Sequence, residues 1–366
     1  MDNLVTANIR QRPIRSLVSI AGVSLGVALV MLFTGLARGM SNDLQRRSSN
    51  VRAEIIFTRK GSTDNLTSSP ANLSTKYVER LQAIEGVEAA VPVIRYIFQG
   101  GRGFGFEQVE GVDWAPFAAM NEIRLVEGRA PEALDEVVVD ETKARNNNLS
   151  VGSTLSLFGD KPYRVTGIYA PESGARVKMT LSAMQDVIEA PGRCTWILVK
   201  ARNPEEQVEV ARRIDQELPG NKIQFTRDVF LSIEKSIPYL GVFLRVLVGL
   251  AAVVSALVVM LAMYTTITER TREIGILKAM GASRGFIIGV IEKEALLISA
   301  LGLVLGFAVA LIAGSLIHRI YGLVFEYSWS WAIAAAAIGL LGGGLGALYP
   351  AVRAANLDAV NALAYE

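Results

Sequence analysis

Four uncharged, apolar runs punctuate this chain: Ser16 to Ala37, Val246 to Thr268, Ala295 to Ile317 and Tyr327 to Val352. Each holds at least the ~20 residues that a helix rising 1.5 Å per residue needs to cross the hydrocarbon of a bilayer. Residues 38 to 245 separate the first run from the second, whereas the other three crowd the C-terminal third. The spacing predicts an α-helical membrane protein with four transmembrane helices, whose largest folded part hangs between the first two. The first run is longer than the ~7–15 apolar residues of a signal peptide. The residues after it, Leu36-Ala37-Arg38-Gly39-Met40, make a poor cleavage site, so the run reads as a retained span.

Between the spans the periodicity changes. Residues 1–15 read as a short interfacial helix ending near Pro13, a residue suited to a first helical turn. Gly39 to Asn50 is polar but free of proline, so the first helix is expected to continue as a stalk. Beyond Asn50 the chain reads as alternating strands and helices, with strands at Val51–Thr58 and Val87–Phe98 and a helix at Thr75–Ile84 between them. The order recurs as strand Thr195–Ala201, helix Pro204–Leu218 and strand Lys222–Thr226. Two βαβ halves, 51–111 and 194–230, suggest a split ferredoxin-like, porter-like α/β domain outside the membrane. A β-rich inserted subdomain, 112–193, carries strands near Glu136–Val139, Thr154–Phe158 and Tyr163–Tyr169. A second stalk leads back through Phe230, Ile233, Ile237 and Leu240, with Pro238 at a kink or junction. The resulting plan is spans at 16–37, 246–268, 295–317 and 327–352, an outer domain with stalks at 38–245, an inner loop at 269–294, a short outer loop at 318–326 and an inner tail at 353–366.

Charge orients this plan. The 269–294 loop holds five basic residues (Arg270, Arg272, Lys278, Arg284, Lys293), and Arg10, Arg12 and Arg15 precede the first span. Short basic loops stay inside, which places both termini and that loop in the cytoplasm. Arg38, Arg46 and Arg47, on the opposite side, pull the other way. Residues 38–245 hold 27 Lys/Arg and 27 Asp/Glu, so the outer domain carries no net charge to attract a ligand from a distance. A formal net charge of +2 also lacks the clustered basic face of a nucleic-acid binder. Cys194 is the single cysteine, so no intrachain disulfide forms, and it reads as a small buried apolar group.

Candidate chemistry is sparse. The sequence has no phosphate-binding loop, since Gly342 to Gly346 lies in a span and lacks the lysine. It has no metal-ligand spacing, and its single histidine, His318, sits at a span end. No catalytic residue, metal or cofactor is expected. The uncharged spans also argue against an ion conduit. Small-xxx-small pairs do stand out, at Gly22/Gly26, Gly302/Gly306 and Gly339/Gly343, with Gly342/Gly346 overlapping the last. They predict close helix packing. The segment Glu269 to Ser283 sets charges at Glu269, Arg270, Arg272, Glu273 and Lys278 beside Ile274, Leu277 and Met280 at helical spacing. Gly281 is placed to stop that helix and Ser283 to cap the next. On pattern alone this is an amphipathic helix on the membrane surface, either an ordinary connector or a docking ridge.

The wording of Glu269-Arg-Thr-Arg-Glu-Ile-Gly-Ile-Leu-Lys-Ala-Met-Gly-Ala282 resembles the FtsX-like permease domain of the MacB/FtsX/LolC–LolE superfamily of ABC transporters. Leu348-Tyr-Pro-Ala-Val-Arg-Ala-Ala-Asn-Leu-Asp358 with Ala362-Leu363 is similar to that family's closing motif, and Arg15 to Gly26 to its first span. Glu127-Gly-Arg129, Glu136-Val-Val-Val139 and Leu149-Ser-Val-Gly152 resemble its outer domain. The resemblance implies a bacterial inner-membrane permease, paired with itself or a related permease and bound by a separate cytoplasmic ABC ATPase. An adaptor or cargo protein on the outer side and membrane lipid are further implied partners. The 269–282 helix would seat in a cleft of the ATPase, its charges fixing orientation and Ile274, Leu277 and Met280 supplying buried contact. Gly275 and Gly281 would allow close approach and the helix stop. Three functions remain open: export or extraction of a hydrophobic molecule, peptide or lipoprotein; regulation of a cell-wall hydrolase without transport; and a receptor with no ATPase. The size of the outer domain favours the first, and the amphipathic segment weighs against the last.

Overall fold

The computed structural model describes residues 13–61, 71–99, 106–159, 161–228 and 238–356. The expected interfacial helix at 2–12, most of the 61–69 linker, the stalk positions Phe230, Ile233 and Ile237, and the tail beyond Asn356 lie outside the described residues. The chain divides into two units, one of residues 1–40 with 239–366 and one of residues 41–238. A single helix, α1 (Pro13–Ser49), contributes to both.

The α/β unit is built on one sheet. Its chain order is β1 (Ile55–Arg59), β2 (Leu73–Ser74), α2 (Tyr77–Gln82), β3 (Val87–Gln99), β4 (Phe106–Val112), α3 (Trp114–Asn121), β5 (Arg124–Gly128), β6 (Glu136–Asp140) and α4 (Glu141–Asn146). There follow β7 (Thr154–Leu157), β8 (Lys161–Ala170), β9 (Val177–Thr180), α5 (Leu181–Val187), β10 (Arg193–Cys194), β11 (Trp196–Ala201), α6 (Gln207–Glu217) and β12 (Asn221–Phe225). Strands β12-β1-β11-β3 pair antiparallel, so the two βαβ halves interleave in the ferredoxin-like order. Asn203 caps the turn of 3₁₀ helix (Pro204–Glu206) that leads into α6.

The inserted segment refines the expectation of a second subdomain. Its strands extend the same sheet in the order β4-β9-β6-β8-β5, joined to the first half by one parallel pairing in which Val109 faces Val177 and Val112 faces Thr180. Both halves also share their cores. Alternate side chains on each strand point to opposite faces. Ile55, Phe57, Val137, Val139, Ile197 and Val199 enter one apolar cluster, closed by α2, α5 and α6. Ile56, Val138, Trp196 and Leu198 enter another, closed by Phe117 and Met120 of α3. Glu136 and Arg129, separated in sequence by seven residues, meet in a two-pronged ion pair at 2.8 and 2.6 Å. Cys194 is fully buried, and that burial pushes its thiol up to about 12.

The second unit holds the first part of α1 with α7 (Pro238–Glu269), α8 (Thr271–Ala279), α9 (Arg284–Tyr321) and α10 (Trp329–Ala355). Among the described residues, four helices are long and apolar enough to cross a membrane. The glycines lie where these helices touch. A Cβ on Gly22 would come within 2.6 Å of Val258, and one on Gly26 within 2.5 Å of the Ser255 hydroxyl. Gly302 and Gly306 sit against Val23 and Val27 of α1 at 2.7 and 2.8 Å on the same measure. Gly343 faces the Ser299 hydroxyl and Gly346 the Ala256 carbonyl, both too close for any side chain. Gly339 is looser, since a Cβ would lie an ordinary 3.4 Å from Val27. Lipid tails offer no hydrophobic drive between helices, so close packing of neighbouring helices at these glycines supplies the cohesion.

These contacts separate two glycine substitutions. Gly346→Val, which pushes into a backbone carbonyl that cannot move aside, is expected to destabilise the helices by about 1–3 kcal/mol. Gly289→Ala in α9, where nothing lies within 4 Å, is expected to be neutral or to stabilise by up to about 1 kcal/mol. Thermal unfolding in detergent reads both.

Candidate functional site

Two clusters of charged and buried groups stand out, one in each unit. The first is the segment between the second and third spans. Helix α8 starts after a break at Arg270, whose backbone leaves the helical region at φ −110°. It ends in a paired turn: the amide of Ala282 donates to the Leu277 carbonyl and that of Gly281 to the Lys278 carbonyl, both at 3.0 Å. This double closure needs a left-handed residue, and Gly281 has φ +93°. Ser283 then accepts the Phe286 amide at 3.2 Å and starts α9.

The phase of α8 sorts the expected residues into two groups. Ile274 (8% exposed) and Gly275 face inward, where Ile274 packs with Ile287, Ile291, Ala351, Ala354 and Ala355. Lys278 donates to the Ala355 carbonyl at 2.9 Å, satisfying one of the carbonyls left open at the end of α10. Arg270 lies 3.8 Å from Glu294 of α9 and 4.0 Å from Glu273. These groups hold α8 to the ends of α9 and α10. Glu269, Arg272, Glu273 and Met280 (72% exposed) lie on the surface, and Leu277 is half-buried. The expected outward ridge of Ile274, Leu277 and Met280 is therefore corrected: Ile274 belongs to the chain's own core, and the exposed apolar pair is Ile276 (45% exposed) with Met280. Phe286, just past the cap, is exposed as well. Apolar spacing along one helix could not set this phase, because it depends on where α10 ends beside Ile274.

The second cluster was not legible as a motif. At the end of α1, the loop Glu172-Ser-Gly-Ala175 has every backbone carbonyl taken by a side-chain donor. Asn50 donates to the Glu172 carbonyl at 2.6 Å and Arg47 to that of Gly174 at 3.0 Å. Lys178 donates to the carbonyls of Ser173 and Ala175 at 2.7 and 2.9 Å, and the Tyr169 hydroxyl also reaches Ala175, at 2.8 Å. In return Ser173 donates to the Asn50 carbonyl and the Gly174 amide to that of Arg47. Beside this bracket Arg176 pairs with Asp43 of α1, with Asp140 at 2.9 Å and with Glu172 at 3.5 Å, while Arg47 lies 3.1 Å from Asp43.

Under the bracket sits a buried ion triad. Glu110 receives Arg95 at 2.5 Å on one oxygen and Lys178 at 2.7 Å on the other. Lys178 is 0% exposed and also lies over the rings of Phe117 and Tyr169, at 4.9 and 5.4 Å. Burial alone would raise the Glu110 carboxyl, but Lys178 and Arg95 outweigh it and hold it at about 2. Burial lowers the Lys178 ammonium against the pull of Glu110, and burial raises Asp140 against the pull of Arg176. No group of acidic, histidine or cysteine side chains suited to a metal occurs among the described residues. The members of this site come from positions as far apart as 43, 95, 110 and 178, so no local pattern announced them.

Comparison with known proteins follows the same division. Residues 16–217 match the profile of the MacB-like periplasmic core domain, and residues 245–359 that of the FtsX-like permease C-terminal region. The chain is 26% identical to the macrolide export ATP-binding/permease protein MacB of Escherichia coli over 96% of its own length. It is 24% identical, over 96%, to the pyoverdine export ATP-binding/permease protein PvdT of Pseudomonas aeruginosa. The chain spans 58% and 56% of those two relatives. An uncharacterized ABC transporter permease of Bacillus subtilis, YvrN, is 23% identical, with 96% of both chains covered. Among solved structures, the periplasmic region of MacB from Actinobacillus actinomycetemcomitans aligns with 52% of this chain and 98% of its own, at a TM-score of 0.39 and 16% identity.

The triad predicts a pH signature. A carboxyl held below its ordinary 4.5 stabilises the fold fully above that value, and the contribution is lost as the pH falls from 4.5 towards 2. Glu110→Gln is expected to lower stability at neutral pH, with the gap to the native chain closing across that acid window. Urea unfolding followed by tryptophan fluorescence measures it. A gap independent of pH would mean that Glu110 is not an ionised partner.

Proposed function

The chain belongs to the family built from a MacB-like periplasmic core domain and an FtsX-like permease region, and from that premise we propose that it is the permease subunit of an ATP-driven export system. It works as a transmitter of motion. A separate cytoplasmic ATPase grips α8, and the spans pass the movement to the α/β unit on the outer side of the bacterial inner membrane. The observation that carries this reading is the two-sidedness of α8. Its outer face offers Ile276 and Met280 between Arg272 and Glu273, while its inner edge is clamped to α9 by Arg270 and to α10 by Lys278. A push on such a helix moves the two spans with it.

Several features support the parts of this reading. YvrN, matched along nearly its whole length, is named a permease alone, which favours an ATPase on another chain. Arg46 and Arg47, which oppose the orientation drawn from loop charge, both pair with Asp43 inside the folded α/β unit. They belong to a long domain, whose charges count little in the bias, so the basic 269–294 loop outweighs them and Arg38, and both termini are assigned to the cytoplasm. The exported substrate is assigned as amphipathic. The names of the relatives span a macrolide and a pyoverdine, and the balanced charge of residues 38–245 favours apolar and shape recognition over long-range attraction. A dimer, with itself or with a related permease, completes the proposed assembly.

Capture of the cognate ATPase tests the docking face. Ile276→Asp and Met280→Asp are expected to weaken capture at least about tenfold, a loss of about 1.4 kcal/mol or more, with the melting temperature unchanged. Ile274→Ala is expected instead to destabilise the membrane unit by about 2–5 kcal/mol as an emptied core position. Full capture by both aspartate variants would remove α8 as the docking element. A cysteine placed at Met280 should react with an impermeant maleimide only after the cells are opened. Labelling of intact cells would invert the topology.

A further inference from the structure

The buried ion triad has no role in docking an ATPase, and burying it is expensive. Removing a lysine and a glutamate from water costs several kcal/mol per ion, and well-packed apolar residues often serve stability as well or better. Lys178 is wholly buried, with three oxygens around its ammonium: Glu110 Oε2 at 2.7 Å and the carbonyls of Ser173 and Ala175 at 2.7 and 2.9 Å. Those two carbonyls alternate along the loop with the two that α1 grips, Glu172 through Asn50 and Gly174 through Arg47. The loop is therefore held from the stalk by one set of donors and from the sheet by the other.

Lys178 also sits at an informative place in the sheet. It lies on β9, opposite Glu110 of β4, in the single parallel pairing that joins the ferredoxin-like half to the inserted half. Arg95, the third member, is on β3 and stacks over Trp196 of β11 at 4.8 Å. The triad spans the seam, and the bracket hangs from it.

We propose that Lys178, oriented by Glu110, is the positioning residue that fastens the end of the first helix to both halves of the α/β sheet, so that the sheet follows the stalk. Its work is done through the loop carbonyls rather than through any ligand. The inference rests on the reading of this chain as a transmitter of motion. An apolar side chain of the same length would fill the same space but leave the Ser173 carbonyl without a donor from the sheet and the Ala175 carbonyl with Tyr169 alone.

The test is Lys178→Met in the full chain, in detergent, with hydrogen exchange as the readout. This variant leaves no unpaired buried charge, because Glu110 keeps Arg95. Exchange is expected to rise about tenfold in peptides covering residues 43–51 and 171–176, while the core strands 55–59 and 196–201 stay at native protection. Arg47→Gln, which loosens the same bracket from the stalk side, should raise the same two peptides. It also serves as the reading if Lys178→Met does not fold. In the double variant the effects should fall short of additive, because either change alone opens the shared loop. Unchanged exchange at 43–51, or a rise spread evenly over the sheet, would overturn the proposal and leave Lys178 as core filling. Reconstitution with the ATPase separates this from the functional reading. Loosened peptides with unimpaired export would keep the bracket and sink the transmission model, whereas native peptides would sink the bracket whatever the transport result.

Discussion

Four consecutive carbonyls, from Glu172 to Ala175, tie the end of the first helix to the α/β sheet. Buried backbone oxygens need donors, and a loop that leaves the sheet loses the donors that a strand would have supplied. Here the replacements come from two sources: Asn50 and Arg47 at the end of α1, and Lys178 with Tyr169 in the sheet. The consequence is geometric. The end of α1 cannot shift by even a hydrogen-bond length without stripping partners from a loop that the sheet also holds. Around that arrangement the carboxylates of Asp43, Asp140 and Glu172 converge on Arg176, and Asp43 also meets Arg47.

The membrane unit reaches rigidity by a different route. Its spans carry no ion pairs along their apolar runs and no hydrophobic drive separates one helix from another in lipid. Cohesion comes from glycines that bring backbones together, as where Gly346 meets the Ala256 carbonyl and Gly306 meets α1 beside Val27. At the end of this unit the logic changes back to hydrogen bonds. Lys278 closes the carbonyl end of α10, and Arg270 reaches Glu294, so α8 is tied to two spans by charge-assisted contacts. Helix α8 is thus anchored near both of its ends, by Arg270 at its start and by Lys278 in its last turn. Its exposed Ile276 and Met280 stand on a base that the bundle itself supplies.

Legibility followed the range of the interactions. Span existence depends on a continuous run of apolar residues, and the runs at Ser16, Val246, Ala295 and Tyr327 correspond to the four long helices. Short continuous runs of strand-forming apolar residues located β1, β6 and β11, because such a run is a local pattern. The stop at Gly281 and the cap at Ser283 were equally local and equally readable. The phase of α8 was not. Ile274 and Ile276 are both isoleucines two residues apart, and which of them is buried depends on Ala351, Ala354 and Ala355, some eighty residues later in the chain.

By itself, then, the order of residues decided the number of spans, the interruption of the bundle by a large α/β unit, the strand and helix order within each βαβ half and the punctuation of the amphipathic segment. Each of these arises from neighbours within a few turns or strand residues, where side-chain spacing and backbone preference act directly. Tertiary structure alone decided that the inserted strands would continue one sheet, that Lys178 would be buried against Glu110, and that Arg47 and Asn50 would meet residues more than a hundred positions away. A charged residue carries no mark in sequence of whether it will be solvated or enclosed. That outcome is set by which distant strand arrives beside it, and the energy of enclosing it is recovered only from partners that folding brings together.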